Sequence, residues 1–495
     1  MPLELKARLV GHGSLLEGSG GVIPAGRGVT TLSLKNIYLN NHSRAGLRDR
    51  SPHPAQNPSE PNTPLSNTSL THIAQSESEP KRRSQNTRKR IPVLCALVLV
   101  MLAAVSCVND LTPSGGWSGP VVEDGKLFIG NLEGNLVRVD AETNDVDSSW
   151  RYPFEDGLGA MYSNAVVDGD NIFGVGYTCR GDNCEGEIFG LRLADAKSIW
   201  GQRGLQLETK LIGDIGISGD TLLVGTTAIG NEEDGADGYL YALSTTPGTS
   251  NITKWRFALD ANAFSGVAID GSTVYIASMA GTLYAIDISD SESFASNPES
   301  RLKWTFTADG AIAGPILADS GNLYFGDLAG KAYKINPASR SASSDSSSVN
   351  TGSGEWEFDA GAWVWAKPVI ENGVVYVAGL DGSIFALDET SGIEKWSAEI
   401  DGQVVSSPVL FDRKRGETHE RALAVPSAEE NVAVISIIDG RALGKFITNE
   451  PVKSTPLVYG DNLYVHAMNG DLKWFSIEDL SERGCVDLKG GGRCD

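Results

Sequence analysis

From residue 117 onward, apolar and polar positions follow one recurring pattern: an apolar stretch, a turn, an alternating strand, a second turn, another strand and a closing aromatic residue. The clearest copy runs from Lys367 to Asp388 and closes on Glu389 to Trp396. Within it, Asn372-Gly373 and Asp381-Gly382 read as hairpin turns, because Gly, Asn and Asp readily take positive φ. Alternation at Val375 and Val377, and again at Ile384 and Ala386, gives each strand one buried face.

The glycine of the second turn recurs at Gly134, Gly186, Gly238, Gly281, Gly330, Gly382 and Gly470, with a degenerate copy near Asn431. The spacings are 52, 52, 43, 49 and 52 residues, then 88, which fits two further units. The closing aromatic recurs as Trp150, Trp200, Trp255, Trp304, Trp356 and Trp396, and weakens to Phe446 in the seventh unit. Repeats of this period with four strands each predict an all-β, eight-bladed β-propeller over residues 114–480; discounting the poorly formed seventh unit would leave seven blades. Residues 481–495 are expected as a C-terminal tail, and the Ser-rich stretch Ser339 to Ser353 as a flexible interblade loop.

The chain before the repeats is different. Residues 1–90 mix Ser, Asn, Pro and Gly without sustained periodicity and are expected to be a disordered extension. A basic cluster from Lys81 to Arg90 then leads into fifteen apolar residues, Ile91 to Val105, followed by Ser106-Cys107. Basic, apolar and small residues in that order form a signal sequence, and the run is short for a bilayer span of roughly 20 residues. Its place so far into the chain leaves two readings: a misassigned start at Met1, which we favour, or a cytoplasmic tail on a signal anchor.

Composition changes the picture mainly through charge. Residues 1–90 carry 13 Lys and Arg against 6 Asp and Glu; the rest carries 28 against 57, a formal charge of −29. So acidic a body lacks the basic stripe of a nucleic-acid binder and suits an extracytoplasmic domain with a protein partner. Five cysteines follow the apolar run. Cys179 with Cys184 and Cys485 with Cys494 lie close enough to close two small disulfide loops, leaving Cys107 over. A lipid on Cys107, or a free thiol after simple secretion, accounts for the remainder.

Ala104-Val105-Ser106-Cys107 resembles the lipobox of bacterial lipoproteins, with Ala104 standing where Leu is usual. The phrase Ala386-Leu387-Asp388-Glu389-Thr390-Ser391-Gly392-Ile393-Glu394-Lys395-Trp396 resembles the tryptophan-docking repeat of the pyrroloquinoline quinone (PQQ) family, with weaker copies leading to Trp150 and Trp304. That resemblance implies a propeller whose tryptophans staple neighbouring blades. The dehydrogenases of the family add adjacent cysteines, acidic and amide calcium ligands, an Asp base and a stacked Trp; adjacent cysteines do not occur here. No cofactor is therefore expected, PQQ with calcium being the alternative.

Other chemistries find no foothold. Beyond the apolar run the histidines are His419 and His466, and the sequence contains no P-loop, no Gly-x-Ser-x-Gly and no Cys-x-x-Cys. The acidic loop around Glu233 lacks the EF-hand order of ligands. A propeller behind a lipobox resembles the BamB family of outer-membrane assembly lipoproteins. This implies a non-enzymatic scaffold that is lipid-anchored at the cell envelope and docks a membrane protein through loops on one face, a β-barrel insertase being the candidate. The alternatives are a quinoprotein oxidoreductase and a polysaccharide-binding propeller. Candidate contacts are Trp117, Phe264, Trp363, Trp365 and Lys367 at the channel mouth, with Glu233 on its acidic loop.

Overall fold

The computed structural model describes residues 116–494, apart from 154–156, 181–182, 202, 229–235, 290–293, 295–296, 341–344, 347 and 416–417. The expectations for the extension, the signal-like run, Cys107 and the Glu233 loop lie outside the described residues. The described chain forms eight sheets, each built on four antiparallel strands laid down in chain order, and the fourth sheet gains a short parallel fifth strand from Asp345–Ser346. We number the blades 1 (121–152), 2 (166–207), 3 (216–259), 4 (267–307), 5 (317–359), 6 (369–399), 7 (409–447) and 8 (457–487). The arrangement is an eight-bladed β-propeller.

Stacking explains why the second strand of each blade is nearly continuous in apolar residues. Thr221–Gly225 and Thr273–Ala277 are buried at every position because a neighbouring blade covers each face. The buried residues accordingly fall into clusters that each bridge two successive blades. One joins Tyr275 and Phe306 of blade 4 to Phe325 and Tyr333 of blade 5, and another joins Leu472 of blade 8 to Leu127 of blade 1.

The closing tryptophans bind those seams with directed hydrogen bonds. Four of the six reach the third turn of the following blade: Trp150 Nε1–H donates to Leu193 O at 2.8 Å, Trp200 to Ser244 O at 3.0 Å, Trp356 to Glu389 O at 2.9 Å and Trp396 to Ile437 O at 3.2 Å. The ring lies flat on that turn, so a Cβ at Gly392 or Gly440 would come within 2.7 Å of Trp356 or 2.6 Å of Trp396. Both glycines also hold positive φ, and only glycine meets both demands.

Where the Trp contact is altered, arginine spans the seam. Arg301 lies over Trp255 at 4.3 Å and donates to Asp287 O and Ser289 O. At blade 7, where Phe446 replaces Trp, Arg413 donates to Leu443 O at 2.8 Å and to Glu478 O of blade 8 at 3.4 Å.

The ring closes between blade 8 and blade 1 without strand exchange, since blade 1 is built wholly from 121–152 and blade 8 wholly from 457–487. Side chains hold this seam. Tyr464 donates to Ala141 O at 3.3 Å, Asn131 Nδ2 donates to Leu488 O at 3.3 Å, and His466 Nδ1–H donates to Ser118 O at 2.9 Å. His466 is buried and its Nε2 has no partner among the described residues. Burial pushes its pKa below the usual 6.5, against smaller upward pulls from Ser118 O and Asp471. The unfolded chain therefore takes up a proton before the folded one does, and stability falls as pH drops below about 6.5, by up to ~1.4 kcal/mol per pH unit. Urea melts at pH 7.5 and 5.5 check this: the wild type should lose more stability between the two than His466→Gln does.

The structure corrects four sequence expectations. The Ser-rich stretch lies inside blade 5, between its third and fourth strands, and Asp345–Ser346 pairs in parallel with the outer strand of blade 4. Gly186 and Gly238 are not turn residues. Each sits in a third strand, where a Cβ would come within 2.8 Å of Thr209 O or 2.6 Å of Ala261 O, so close backbone approach explains them. In blade 7 the turn position is taken by Glu430, at φ 55°. Finally, Glu482–Asp487 is the outer strand of blade 8, so the segment expected as a tail belongs largely to the propeller.

Candidate functional site

The loop leading into each blade projects a side chain toward the axis from a fixed register. Four residues before the first strand stand Trp117, Tyr162, Ile212, Ala313, Trp365, Val405 and Lys453; in blade 4 the equivalent is Phe264, three residues before. All of these side chains but Ala313 line a cavity of about 260 Å³ at one end of the central channel, with Trp363, Leu380 and Gln403 at its margin. The second turn of blade 6 fixes the margin, because Leu380 N–H donates to Trp363 O at 2.7 Å.

The collar is largely aromatic. Trp117 and Tyr162 meet edge to face at 4.4 Å, and Tyr162 stacks on Tyr177 at 5.8 Å. Lys453 Nζ lies 5.0 Å from the Trp117 ring centroid, a cation–π contact. Trp363 is 50% exposed, much for a residue that usually buries its ring.

Beneath the collar, a narrower chamber of about 110 Å³ reaches a polar layer with Asn164, Asp214, Ser407 and Thr455 on its wall. These residues stand two positions before their first strands, as does Lys367. Asn164 N–H donates to Asp214 Oδ1 at 3.4 Å, Asn164 Oδ1 accepts from Gly119 N–H at 2.6 Å, and Lys367 N–H donates to Ser407 Oγ at 3.1 Å. Burial pushes the Asp214 carboxyl above its ordinary range, while the Lys367 charge and the Asn164 N–H pull it back.

The same end of the propeller carries the long second hairpin of blade 2, Asn171–Arg180 with Asn183–Arg192, whose outer half pairs with Ala160 through Tyr177. Cys179 and Cys184 face each other near its tip and are joined by a disulfide; Cys485 and Cys494 form a second.

The structure thus gathers Trp117, Phe264, Trp363 and Trp365 at one cavity and puts Lys367 one layer deeper. Sequence reading passed over Tyr162, Asp214 and Lys453. The signal that finds them is register, since each occupies the same offset from its strand as a residue that was singled out.

The PQQ chemistry of related dehydrogenases does not fit these residues. The disulfide stands on a hairpin tip, the amide oxygen of Asn164 is taken by a backbone N–H, and the one carboxylate of the polar layer faces an ammonium where a calcium site needs several oxygens. Among the described residues, a possible metal-binding group is Asp471 with Cys485 and Cys494, whose sulfurs are bonded to each other.

Comparison with known proteins places the chain. The PQQ_2 family, described as outer membrane protein assembly factor BamB, matches residues 185–342 and 346–470. Two curated relatives, both named outer membrane protein assembly factor BamB, are 27% identical over 131 residues in Pseudomonas aeruginosa and 28% over 130 residues in Shewanella oneidensis. Those matches span 26% and 24% of this chain and 32% of each relative's length. Among solved structures, BamB from Moraxella catarrhalis aligns with a TM-score of 0.51 and 16% identity, covering 74% of this chain and 96% of that one. The computationally designed Ika8 protein aligns with a TM-score of 0.53 and 11% identity, covering 73% and 96%. Both structural likenesses concern the fold. With the family match running from blade 2 into blade 8, over more than half of the chain, this protein belongs to the PQQ_2 family of outer membrane protein assembly factor BamB.

Proposed function

We propose that the chain is a non-enzymatic docking scaffold for outer membrane protein assembly, exported and held at the cell envelope through a lipid on Cys107. Its partner in this reading is a membrane protein, the β-barrel insertase being the specific candidate. The family match supports the assembly role, and the observation that carries the docking role is Trp363. Its ring stands half exposed at the channel mouth, where burial of an aromatic side chain by a partner would recover apolar area still in contact with water. The disulfide-braced hairpin of blade 2 supplies a rigid wall on the same face. No cofactor enters this function.

Trp363→Ala tests it. The substitution removes a side chain that is half in solvent, so the melting temperature should change little, whereas loss of a central aromatic contact commonly weakens binding by ~2 kcal/mol or more, about thirtyfold. Crosslinked pull-down from native membranes should therefore recover a membrane protein with the wild type and far less of it with the variant. Equal recovery from both would remove Trp363 from the interface.

A further inference from the structure

We propose that the channel chamber binds a small organic acid, one apolar or aromatic body bearing a single carboxylate. This goes beyond the docking role, which concerns the exposed face and needs no ligand inside the channel.

Two observations carry it. The first is shape and surface: a cavity of about 260 Å³, walled by Trp117, Tyr162, Phe264 and Trp365. That lies just below the usual ligand-pocket range, about 300 Å³ upward, and suits a body of one or two rings.

The second is charge. The propeller is strongly acidic overall, yet Lys453 lines the cavity, and Lys367 in the layer below acts on Asp214, the one acidic side chain on the wall of either chamber. Neither lysine side chain forms a salt bridge among the described residues, and Lys453 instead lies over Trp117. The lumen therefore holds one surplus positive charge within a protein whose net charge is negative. Protonation of Asp214 would enlarge that surplus, not reverse it. Aromatic cages attract cations, but here the Trp117 face is already occupied by Lys453, and an incoming ammonium would meet like charge. A neutral ligand would leave that surplus charge uncompensated. One carboxylate balances the lumen, with its apolar body against the rings; a polyanion would exceed what two lysines and one opposing carboxylate can compensate.

The test uses three probes that share a body and differ in charge: 2-naphthylacetate, 2-naphthylethanol and 2-naphthylethylamine, titrated calorimetrically into the full chain. The acid should bind one per chain, the alcohol at least about tenfold more weakly, and the amine more weakly still. Lys453→Met should weaken the acid about tenfold while leaving the alcohol unchanged, Lys453→Arg should restore acid binding, and Asp214→Asn should strengthen it. A melting curve for each variant shows that the propeller is intact. Absence of binding by the acid, equal affinity for all three probes, or indifference of acid binding to Lys453→Met would overturn the proposal. Each of those results leaves the Trp363 pull-down unaffected, so the two readings fail separately.

Discussion

Trp150→Ala should lower the stability of the propeller by about 3–5 kcal/mol, the range for truncating a large aromatic side chain in a core. Trp150 is 1% exposed, meets Phe128 edge to face at 5.0 Å and carries Arg138 over its ring at 5.4 Å. Its loss opens a cavity between blades 1 and 2, a seam both blades share. Trp150→Phe separates packing from hydrogen bonding. Phenylalanine keeps most of the volume, and Leu193 O still accepts from Arg138 Nη1 at 3.0 Å, so the cost should be only ~1 kcal/mol. Urea denaturation of the three proteins gives the comparison. If Trp150→Ala is as mild as Trp150→Phe, the seam tryptophans are not what binds the blades.

Glu355→Ala should release the Ser-rich insertion of blade 5. Glu355 and Arg340 form an ion pair at 2.5 Å with side-chain exposures of 0% and 4%. The same carboxylate accepts from Asn336 N–H at 3.1 Å, Ser339 Oγ–H at 2.8 Å and Asn350 N–H at 2.5 Å, so it gathers both ends of the insertion at one point. Arg340 lies 5.0 Å from the Phe306 ring of blade 4. Removing the carboxylate leaves a buried guanidinium without its counter-charge, which costs about 3–5 kcal/mol locally. The insertion should open instead of bearing that cost, while the blades themselves stay folded. Brief trypsin treatment reads the change: cleavage after Arg340 should be slow in the wild type and fast in Glu355→Ala. Equal rates would mean that the insertion is open in both or held by other contacts.

The fold was legible because its repeat is local. Turn pairs such as Asn372-Gly373, the glycines under Trp356 and Trp396, and the closing aromatics are each required by short-range geometry, so they recur at readable spacing. What escaped reading depends on partners far apart in sequence. Nothing near Arg301 or Arg413 shows that they span seams, and nothing near Glu355 shows that it anchors a Ser-rich loop. The blade 2 hairpin and the blade 3 turn displaced the expected glycine positions because extra residues lengthened them, which moved Gly186 and Gly238 into strands. At the channel the aromatic residues attracted notice by type. Tyr162, Asp214 and Lys453 did not, since each is unremarkable alone and gains meaning only when eight lead-in loops are laid in register around one axis.

That register also separates the two ends of the molecule. The channel mouth carries Trp363 and the blade 2 hairpin, whereas Ile393 and Ile438, at 68% and 76% exposed, lie in the third turns of blades 6 and 7 at the opposite end. Docking through the mouth is the central claim, and a photocrosslinking side chain placed in turn at Trp363 and at Ile438 tests it most directly. After irradiation of native membranes, position 363 should yield a defined adduct with an outer membrane protein assembly component and position 438 should not. Adducts from 438 alone, or none from 363, would contradict it.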